Sequence, residues 1–202
     1  MPQISRREFE QLPLRVHGLL AGVPLHDVWA IDLPPARSGI TLNEFLSVGT
    51  MHPFRCSPLV HILVNIRLAL GSTFGWDREP RANAWETFAS RMTTADRSKT
   101  LTVPGRREGM FRVVYRFENE QLLELINRTA HAGALSALVE RANGYRYYFG
   151  VYVYNVSRIT PVYMALIDPL RKLVVYPSML RMIRERWNEA FCAYSITERL
   201  KP

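Results

Sequence analysis

Cysteine is scarce in this 202-residue chain, which contains only Cys56 and Cys192. The two lie far apart, and neither belongs to a Cys-x-x-Cys pair or to a cluster of cysteine and histidine. This pattern excludes a disulfide framework and the common structural zinc sites, and it is typical of a reducing compartment. We therefore expect a cytoplasmic protein.

The chain also lacks a long uninterrupted hydrophobic run. The most apolar stretch, residues 58–74, contains His61, Asn65 and Arg67. A bilayer-spanning helix needs about 20 predominantly apolar residues. The first residues lack the apolar core of a signal peptide. We therefore expect no transmembrane segment and no signal peptide.

Motifs of several common enzyme classes are missing as well. The sequence has no Gly-x-Gly-x-x-Gly turn, no Walker-type phosphate loop and no Gly-x-Ser-x-Gly elbow. Nucleotide chemistry and serine-triad chemistry therefore have no support. No two histidines share the spacing of metal ligands. We expect no cofactor and no metal.

Positive charge is in surplus but is not clustered. The 26 Lys and Arg exceed the 18 Asp and Glu, for a formal net charge of +8. The basic residues are spread along the chain, so we expect no nucleic-acid partner. The basic positions near the C-terminus are Arg171, Lys172, Arg181, Arg184 and Arg186. Because Glu185 and Glu189 interleave with them, they form either a solvated helix face or a patch for a membrane surface or anionic partner.

Hydrophobic residues make up 48% of the chain, enough for one core. We expect a single domain over residues 1–202, with residues 192–202 as a frayed tail. Alternation of apolar side chains predicts five strands. They cover residues 26–34, 111–118, 122–127, 130–141 and 145–156. The Asn143-Gly144 pair predicts a tight hairpin between the last two, and the last four strands form a meander.

Helix signals lie on both sides of the meander. Thr41 and Glu44 form a capping box for a helix over residues 42–48, and Ser57 with Pro58 opens a second helix that ends at Gly71. From Thr160 onward the pattern is helical, with kinks or breaks expected at two prolines, 169 and 177. A final helix over 178–191 turns Leu180, Ile183 and Trp187 inward. Residues 72–109 are read mostly as loop, with a short docking helix at Trp85 and Phe88.

This order of elements predicts an α+β fold. A curved antiparallel sheet packs on a long C-terminal helix, with two short helices after the first strand. One apolar face of a sheet needs a cover, and the last helix is the element long enough to supply it. We expect a cavity between the sheet and this helix.

The sequence resembles a bacterial family, the domain of unknown function 2867. The strings that carry the resemblance are LHDVWAIDLP, SPLVHILVNIRLALGSTFGWD, EGMFRVV, INRTAHAGALSALVE and VYMALIDPLRKLVVYPSMLR. Where the family string Pro-Phe-His is expected, this chain has Pro169, Leu170 and Arg171. The resemblance implies no activity. The element order is also similar to the helix-grip fold of START-related and Bet v 1-like ligand binders.

Glu124 and His131 are the most suggestive pair. If Asn127 and Arg128 form a two-residue turn, these two side chains lie directly opposite each other on neighbouring strands. A carboxylate there would orient the histidine and raise its pKa. The pair is either the polar end of a pocket, an acid–base pair, or a cross-strand ion pair at the rim of the sheet.

Three functions stay open. The first is binding of a small apolar or amphipathic molecule between the sheet and the C-terminal helix. Its contacts would be Tyr115, Glu124, Asn127, His131, Tyr147 and Tyr163, although tyrosines in strands are also ordinary packing residues. The second is an enzyme of cyclase, dehydratase or isomerase type with His131 as the acid–base group. The third is a peripheral membrane or protein-interaction module. A homodimer is compatible with all three.

Overall fold

The computed structural model of the protein describes residues 3–48, 86–127, 131–156 and 159–192. It confirms the α+β class, with a curved antiparallel sheet and a long C-terminal helix. Six strands form the sheet in the order β1-β6-β5-β4-β3-β2. They are β1 (Leu25–Leu33), β2 (Arg107–Glu108), β3 (Phe111–Arg116), β4 (Glu120–Ile126), β5 (His131–Arg141) and β6 (Gly144–Tyr154). The meander is as predicted, and β1 joins its last strand.

The helices precede and follow the meander. They are α1 (Arg6–Glu10), α2 (Val16–Leu19), α3 (Leu42–Val48), a 3-10 helix (Phe88–Arg91), α4 (Thr94–Lys99), α5 (Ile159–Leu170) and α6 (Tyr176–Trp187). The α3 helix begins as predicted, because Thr41 Oγ1 accepts a hydrogen bond from the Glu44 backbone at 3.0 Å. The predicted helix over 57–71 and the predicted tail after 192 lie outside the described residues. No helix in the described ranges is long and apolar enough to cross a membrane.

The hairpin between β5 and β6 turns one residue earlier than predicted. Arg141 pairs with Gly144, so Ala142 and Asn143 form the turn and Gly144 opens β6. Gly144 has a φ of 128°, which favours glycine, and a Cβ there would lie 2.5 Å from the Leu33 carbonyl oxygen. The glycine therefore lets the hairpin approach the end of β1.

The C-terminal helix covers one face of the sheet. Leu180, Ile183 and Trp187 are buried there, which confirms their predicted inward orientation. The Trp187 ring lies 4.9 Å from the Tyr145 ring and 5.6 Å from the Phe45 ring, measured between centroids. Its Nε1 donates to the Pro34 carbonyl at 3.0 Å, so the one polar atom of the indole is also satisfied.

The predicted interruption of this helix is a π-helical turn. Residues Arg171–Val175 are π-helical, and the Tyr176 N–H bonds to the Arg171 carbonyl five residues back. Pro169 lies inside α5 and Pro177 in the first turn of α6. Neither has a backbone N–H to donate, and the wider turn between them keeps the segment helical.

A second layer covers the opposite face of the sheet, which the sequence analysis did not anticipate. Phe9 of α1, Val16 and Leu19 of α2, and Phe88 of the 3-10 helix are buried in one cluster with sheet residues. The sheet side chains in this cluster include Val28, Ala30, Leu122, Leu135 and Tyr148. The expectation of one covered face is corrected, because the central strands are apolar on both faces.

The prediction of loop over most of residues 72–109 is wrong at α4 and at the short strand β2. Thr93 and Asp96 form a reciprocal capping box that starts this helix. The Thr-x-x-Asp spacing was the available signal, with aspartate in place of the more usual glutamate. The docking role predicted for Phe88 is confirmed, since its side chain is buried, whereas Trp85 lies outside the described residues.

Candidate functional site

Glu124 and His131 do form a buried pair. His131 Nε2 lies 2.7 Å from Glu124 Oε1, and the two residues are only 3% and 2% exposed, respectively. The same carboxylate oxygen accepts the Phe88 backbone N–H at 2.5 Å. The Phe88 ring stacks on the imidazole at a centroid distance of 4.0 Å. The pair thus joins β4 and β5 to the 3-10 helix.

The strand register behind this pair differs from the prediction. Glu124 lies opposite Gly133, and His131 lies opposite Ile126. The two side chains therefore meet diagonally, because Glu124 is paired with Gly133, two residues along β5 from His131. Diagonal neighbours on one face are still within reach of long side chains.

The pair faces the N-terminal layer and not the C-terminal helix. A Cβ added at Gly133, which shares the His131 face, would contact Leu20, Leu122 and Phe88. All three belong to the buried cluster formed with the N-terminal helices. The expectation that this pair lines a cavity under the C-terminal helix is therefore corrected.

Two of the other predicted contacts, Tyr115 and Tyr147, bind partners outside the pair. Tyr115 is buried on the same face, where its hydroxyl donates to Glu120. Tyr147 packs on the opposite face and donates to Ser136 Oγ at 2.8 Å. Burial raises the pKa of Tyr147 to about 12. Asn127 is buried at the end of β4, and the Tyr163 side chain lies outside the described residues.

A second polar network ties the N-terminal helices to the sheet. Glu120 accepts the backbone N–H groups of Arg15 at 2.7 Å and Val16 at 2.9 Å. The Arg15 guanidinium binds both oxygens of Asp96, with Nε and a terminal nitrogen each at 2.7 Å. The hydrogen bonds from Arg15 hold the pKa of Asp96 well below its usual value, against the effect of burial. Both carboxylates of this network, Glu120 and Asp96, therefore accept hydrogen bonds, as buried polar groups usually do.

A third polar cluster, which the sequence analysis did not single out, joins β1 to the C-terminal helix. His26 Nε2 lies 2.8 and 3.0 Å from the two oxygens of Asp168. Arg171 bonds to Asp168 at 2.8 Å and reaches Asp27 at 3.4 Å, and Lys172 lies 3.3 Å from Asp168. Arg171 is the position at which the resemblance led us to expect histidine. We call these five residues the β1–helix cluster.

Asp27 is the member of this cluster whose carboxylate has the fewest hydrogen bonds among the described residues. Its side chain is completely buried, and no described group hydrogen-bonds to its Oδ1. Burial raises the pKa of Asp27 above its usual value, although the positive charge of Arg171 opposes the shift. For Asp168, burial also favours the neutral form. The hydrogen bond from His26 and the charges of His26, Arg171 and Lys172 outweigh it and lower the pKa.

A β-bulge sets the direction of His26. The pairing between β1 and β6 shifts between Leu25 and Asp27, so His26 is the extra residue. A bulge bends the strand and re-aims the side chain, and bulges are frequent beside functional sites. Just outside the strand, Ile4 donates its N–H to the Val28 carbonyl at 3.2 Å and extends the sheet at this edge.

A pocket of about 300 Å³ opens at this edge of the sheet. Three apolar residues line it, Ile4, Leu25 and Val28, together with four polar ones, Gln3, Arg6, His26 and Asp27. Its volume is at the lower end of the range for small-molecule sites. The lining offers both apolar surface and hydrogen-bonding groups.

His26, Asp27 and Asp168 are also spaced like metal ligands, with donor atoms within 4.8 Å of one another. However, Arg171 and Lys172 already neutralise the two carboxylates. A divalent ion would have to displace these cations and the hydrogen bond between His26 and Asp168. The donor set therefore fits its own internal ion pairs better than a metal.

A comparison with known protein families identifies the family of this chain. A family model described as a protein of unknown function (DUF2867) matches residues 19–178. The chain belongs to the DUF2867 family. The DUF2867 match includes the Glu124–His131 pair and the whole β1–helix cluster, but it excludes pocket residues Gln3, Ile4 and Arg6. No curated protein and no solved structure matches this DUF2867 member.

The contacts of the basic C-terminal positions weaken one of the three functional alternatives. Besides Arg171 and Lys172 in the β1–helix cluster, Arg184 donates to the Asp32 carbonyl at 2.9 Å, and Arg186 pairs with Glu189 at 3.2 Å. These four residues have partners within the DUF2867 chain itself. Nothing in their contacts favours a membrane or interaction surface.

The Arg15–Asp96 pair predicts a pH-dependent contribution to stability. Because the pKa of Asp96 is lower in the folded state, its contribution is fully present above the unfolded value of about 3.9 and is lost as the pH falls below it. We expect Asp96→Asn to lower the free energy of unfolding at pH 7 by about 1–2 kcal/mol. Urea denaturation between pH 7 and pH 3 measures it.

The control for this prediction is Glu10→Gln. Glu10 pairs with Arg6 at 3.6 Å on an exposed helix face, so its loss should change stability by less than about 0.5 kcal/mol. The difference between wild type and Asp96→Asn should shrink as the pH falls. A difference that is absent at pH 7, or that grows on acidification, would contradict the role assigned to this pair.

Proposed function

We propose that the protein binds a small amphipathic molecule in the pocket at the beginning of β1. The observation that carries the proposal is a pocket of about 300 Å³ whose lining is partly apolar and partly polar. An apolar body would pack against Ile4 and Leu25, and a polar group would reach His26 or Arg6. Ligand sites commonly combine an apolar wall with a few directed polar groups.

The position of the pocket supports the proposal. His26 and Asp27 line it, and both are bound to residues of the C-terminal helix through Asp168 and Arg171. The pocket therefore adjoins a junction of sheet and C-terminal helix, although not between the residues that the sequence suggested. A site on a cross-linked junction is better preorganised than one on a free loop.

The order of elements supports the same class of function. A first strand, a helix, an antiparallel meander and a C-terminal helix follow one another, as in helix-grip proteins. We infer a relationship to helix-grip proteins from this order of elements. The relationship supports ligand binding but does not identify the ligand. The basic residue in the lining, Arg6, is compatible with an anionic head group.

The dye 8-anilinonaphthalene-1-sulfonate combines an apolar aromatic ring system with a sulfonate. We expect it to bind at a single site, the pocket, with enhanced fluorescence. Leu25→Trp should weaken this binding at least tenfold, which corresponds to about 1.4 kcal/mol, because the indole would occupy the pocket. Native mass spectrometry of the purified protein should show an additional small molecule on wild type but not on the variant.

The matched control is Leu101→Trp, which adds the same ring at a position that is 48% exposed and does not line the pocket. It should bind the dye as wild type does. Equal binding by wild type and Leu25→Trp, with both folded by circular dichroism, would reject the pocket as the binding site.

A second candidate function rests on the Glu124–His131 pair. Its 2.7 Å separation and the stacked Phe88 ring hold the imidazole in one orientation, as a general acid–base group requires. The enzyme would be of cyclase, dehydratase or isomerase type. Both side chains are almost fully buried, so a substrate would need access that the ligand-binding proposal does not require.

This candidate has its own test. The molecule that co-purifies with the protein would be incubated in deuterated water and examined for deuterium uptake by mass spectrometry. His131→Gln, whose amide still donates to Glu124, should slow uptake at least 100-fold with unchanged affinity. No uptake by wild type, or equal rates in both proteins, would reject acid–base catalysis by this pair.

A further inference from the structure

His26 is held in one orientation by Asp168. Its Nε2 lies between the two carboxylate oxygens, at 2.8 and 3.0 Å. An ionised carboxylate can only accept hydrogen bonds, so Nε2 carries the proton when the ring is neutral. The other ring nitrogen, Nδ1, then presents a lone pair.

Asp168 stays ionised in this arrangement. Arg171 and Lys172 lie 2.8 and 3.3 Å from its oxygens, and the side chain is 17% exposed. The three positive or donating partners favour the carboxylate form. Asp168 is therefore a stable anchor that fixes both the tautomer and the plane of the His26 ring, as carboxylates do for histidines in acid–base sites.

The Nδ1 atom of His26 has no hydrogen-bond partner among the described residues. His26 lines the pocket, and its side chain is 25% exposed. Within the β1–helix cluster, the negative charges of Asp27 and Asp168 are balanced by the positive charges of Arg171 and Lys172. Arg6 is the other cation in the lining. Its guanidinium donates to the Leu25 carbonyl at 2.9 Å and lies 3.6 Å from Glu10.

We propose that His26 accepts a proton through Nδ1 from the acidic hydroxyl of a phenol or enol bound in this pocket. The inference rests on the proposed function and adds the class of ligand. The ligand O–H bond breaks and an Nδ1–H bond forms. The products are an imidazolium, balanced by Asp168, and an oxyanion beside Arg6. No other reactant is needed.

The lining explains why the ligand would be a phenol or enol. The apolar walls formed by Ile4 and Leu25 favour a ring or chain over a small polar acid. A strong acid would arrive already ionised and could not donate to Nδ1. An alcohol would bind only through a neutral hydrogen bond, which is the weaker interaction.

The probe is 4-nitrophenol, whose absorbance distinguishes the phenol from the phenolate, and its methyl ether 4-nitroanisole is the control without an acidic proton. Wild type should bind 4-nitrophenol at least tenfold more tightly than the ether and raise its phenolate fraction. His26→Gln keeps an amide donor for Asp168 but has no acceptor at the Nδ1 position. It should lose that preference and bind the two compounds alike.

Two further measurements distinguish loss of the His26 proton acceptor from misfolding of a variant. Nitrogen-15 spectra of labelled histidine should show the Nε2–H tautomer for His26 in wild type. Asp168→Asn removes the negative charge that balances an imidazolium, so the preference for 4-nitrophenol should fall at least tenfold. An Nδ1–H tautomer in wild type, or an unchanged preference in His26→Gln, would overturn the inference.

The two proposals fail in different ways. If both compounds bind equally to wild type and Leu25→Trp blocks both, the pocket binds small molecules but His26 is not a proton acceptor. If Leu25→Trp leaves the binding of both compounds and of the dye unchanged, the proposed function fails, and the inference drawn from it fails too.

Discussion

A sheet that is apolar on both faces is stable in water only when both faces are covered, and this constraint organises the protein. The C-terminal helix covers the face that carries Trp29, Tyr145 and Tyr147. The N-terminal helices and the 3-10 helix cover the face that carries Val28, Leu122 and Tyr148. Burial of apolar surface supplies the favourable free energy on each side, but it does not by itself determine where each cover docks.

Buried and partly buried polar side chains set those positions. Glu120 accepts the N–H groups that begin α2, Glu124 accepts the N–H that begins the 3-10 helix, and Asp168 binds His26 of β1. A buried carboxylate without donors is strongly unfavourable, so a misplaced cover would leave an uncompensated charge. The carboxylates that fix the positions of the layers are therefore also the groups available for binding or acid–base chemistry. The β1–helix cluster differs from the others because a pocket opens beside it.

The sequence predicted the elements whose signals are local. Alternation identified β1 and the four strands of the meander, Thr41 identified the start of α3, and helical spacing identified the inward position of Trp187. It did not predict the β4–β5 register, because a diagonal Glu124–His131 contact and a direct one need the same residue types. The covering of both faces was missed because a strand buried on two sides lacks a clear alternation, as β6 illustrates.

The β1–helix cluster could not be found from spacing at all. His26 and Asp168 are 142 positions apart, and a single His-Asp dipeptide at residues 26–27 is a weak signal. The departure at Arg171 was visible in the sequence, but its meaning required the geometry, in which Arg171 connects Asp168 to Asp27. Among the predicted contacts whose side chains the structure describes, Glu124 and His131 meet directly, whereas Tyr115 and Tyr147 lie on opposite faces of the sheet.

The central claim, that the sheet is covered on two sides by different parts of the chain, is tested most directly by nuclear Overhauser effects between aromatic rings. The account predicts contacts from the Trp187 ring to Tyr145 and Phe45, and separate contacts from the His131 ring to Phe88. Contacts between the His131 ring and side chains of the C-terminal helix, with none to Phe88, would contradict it.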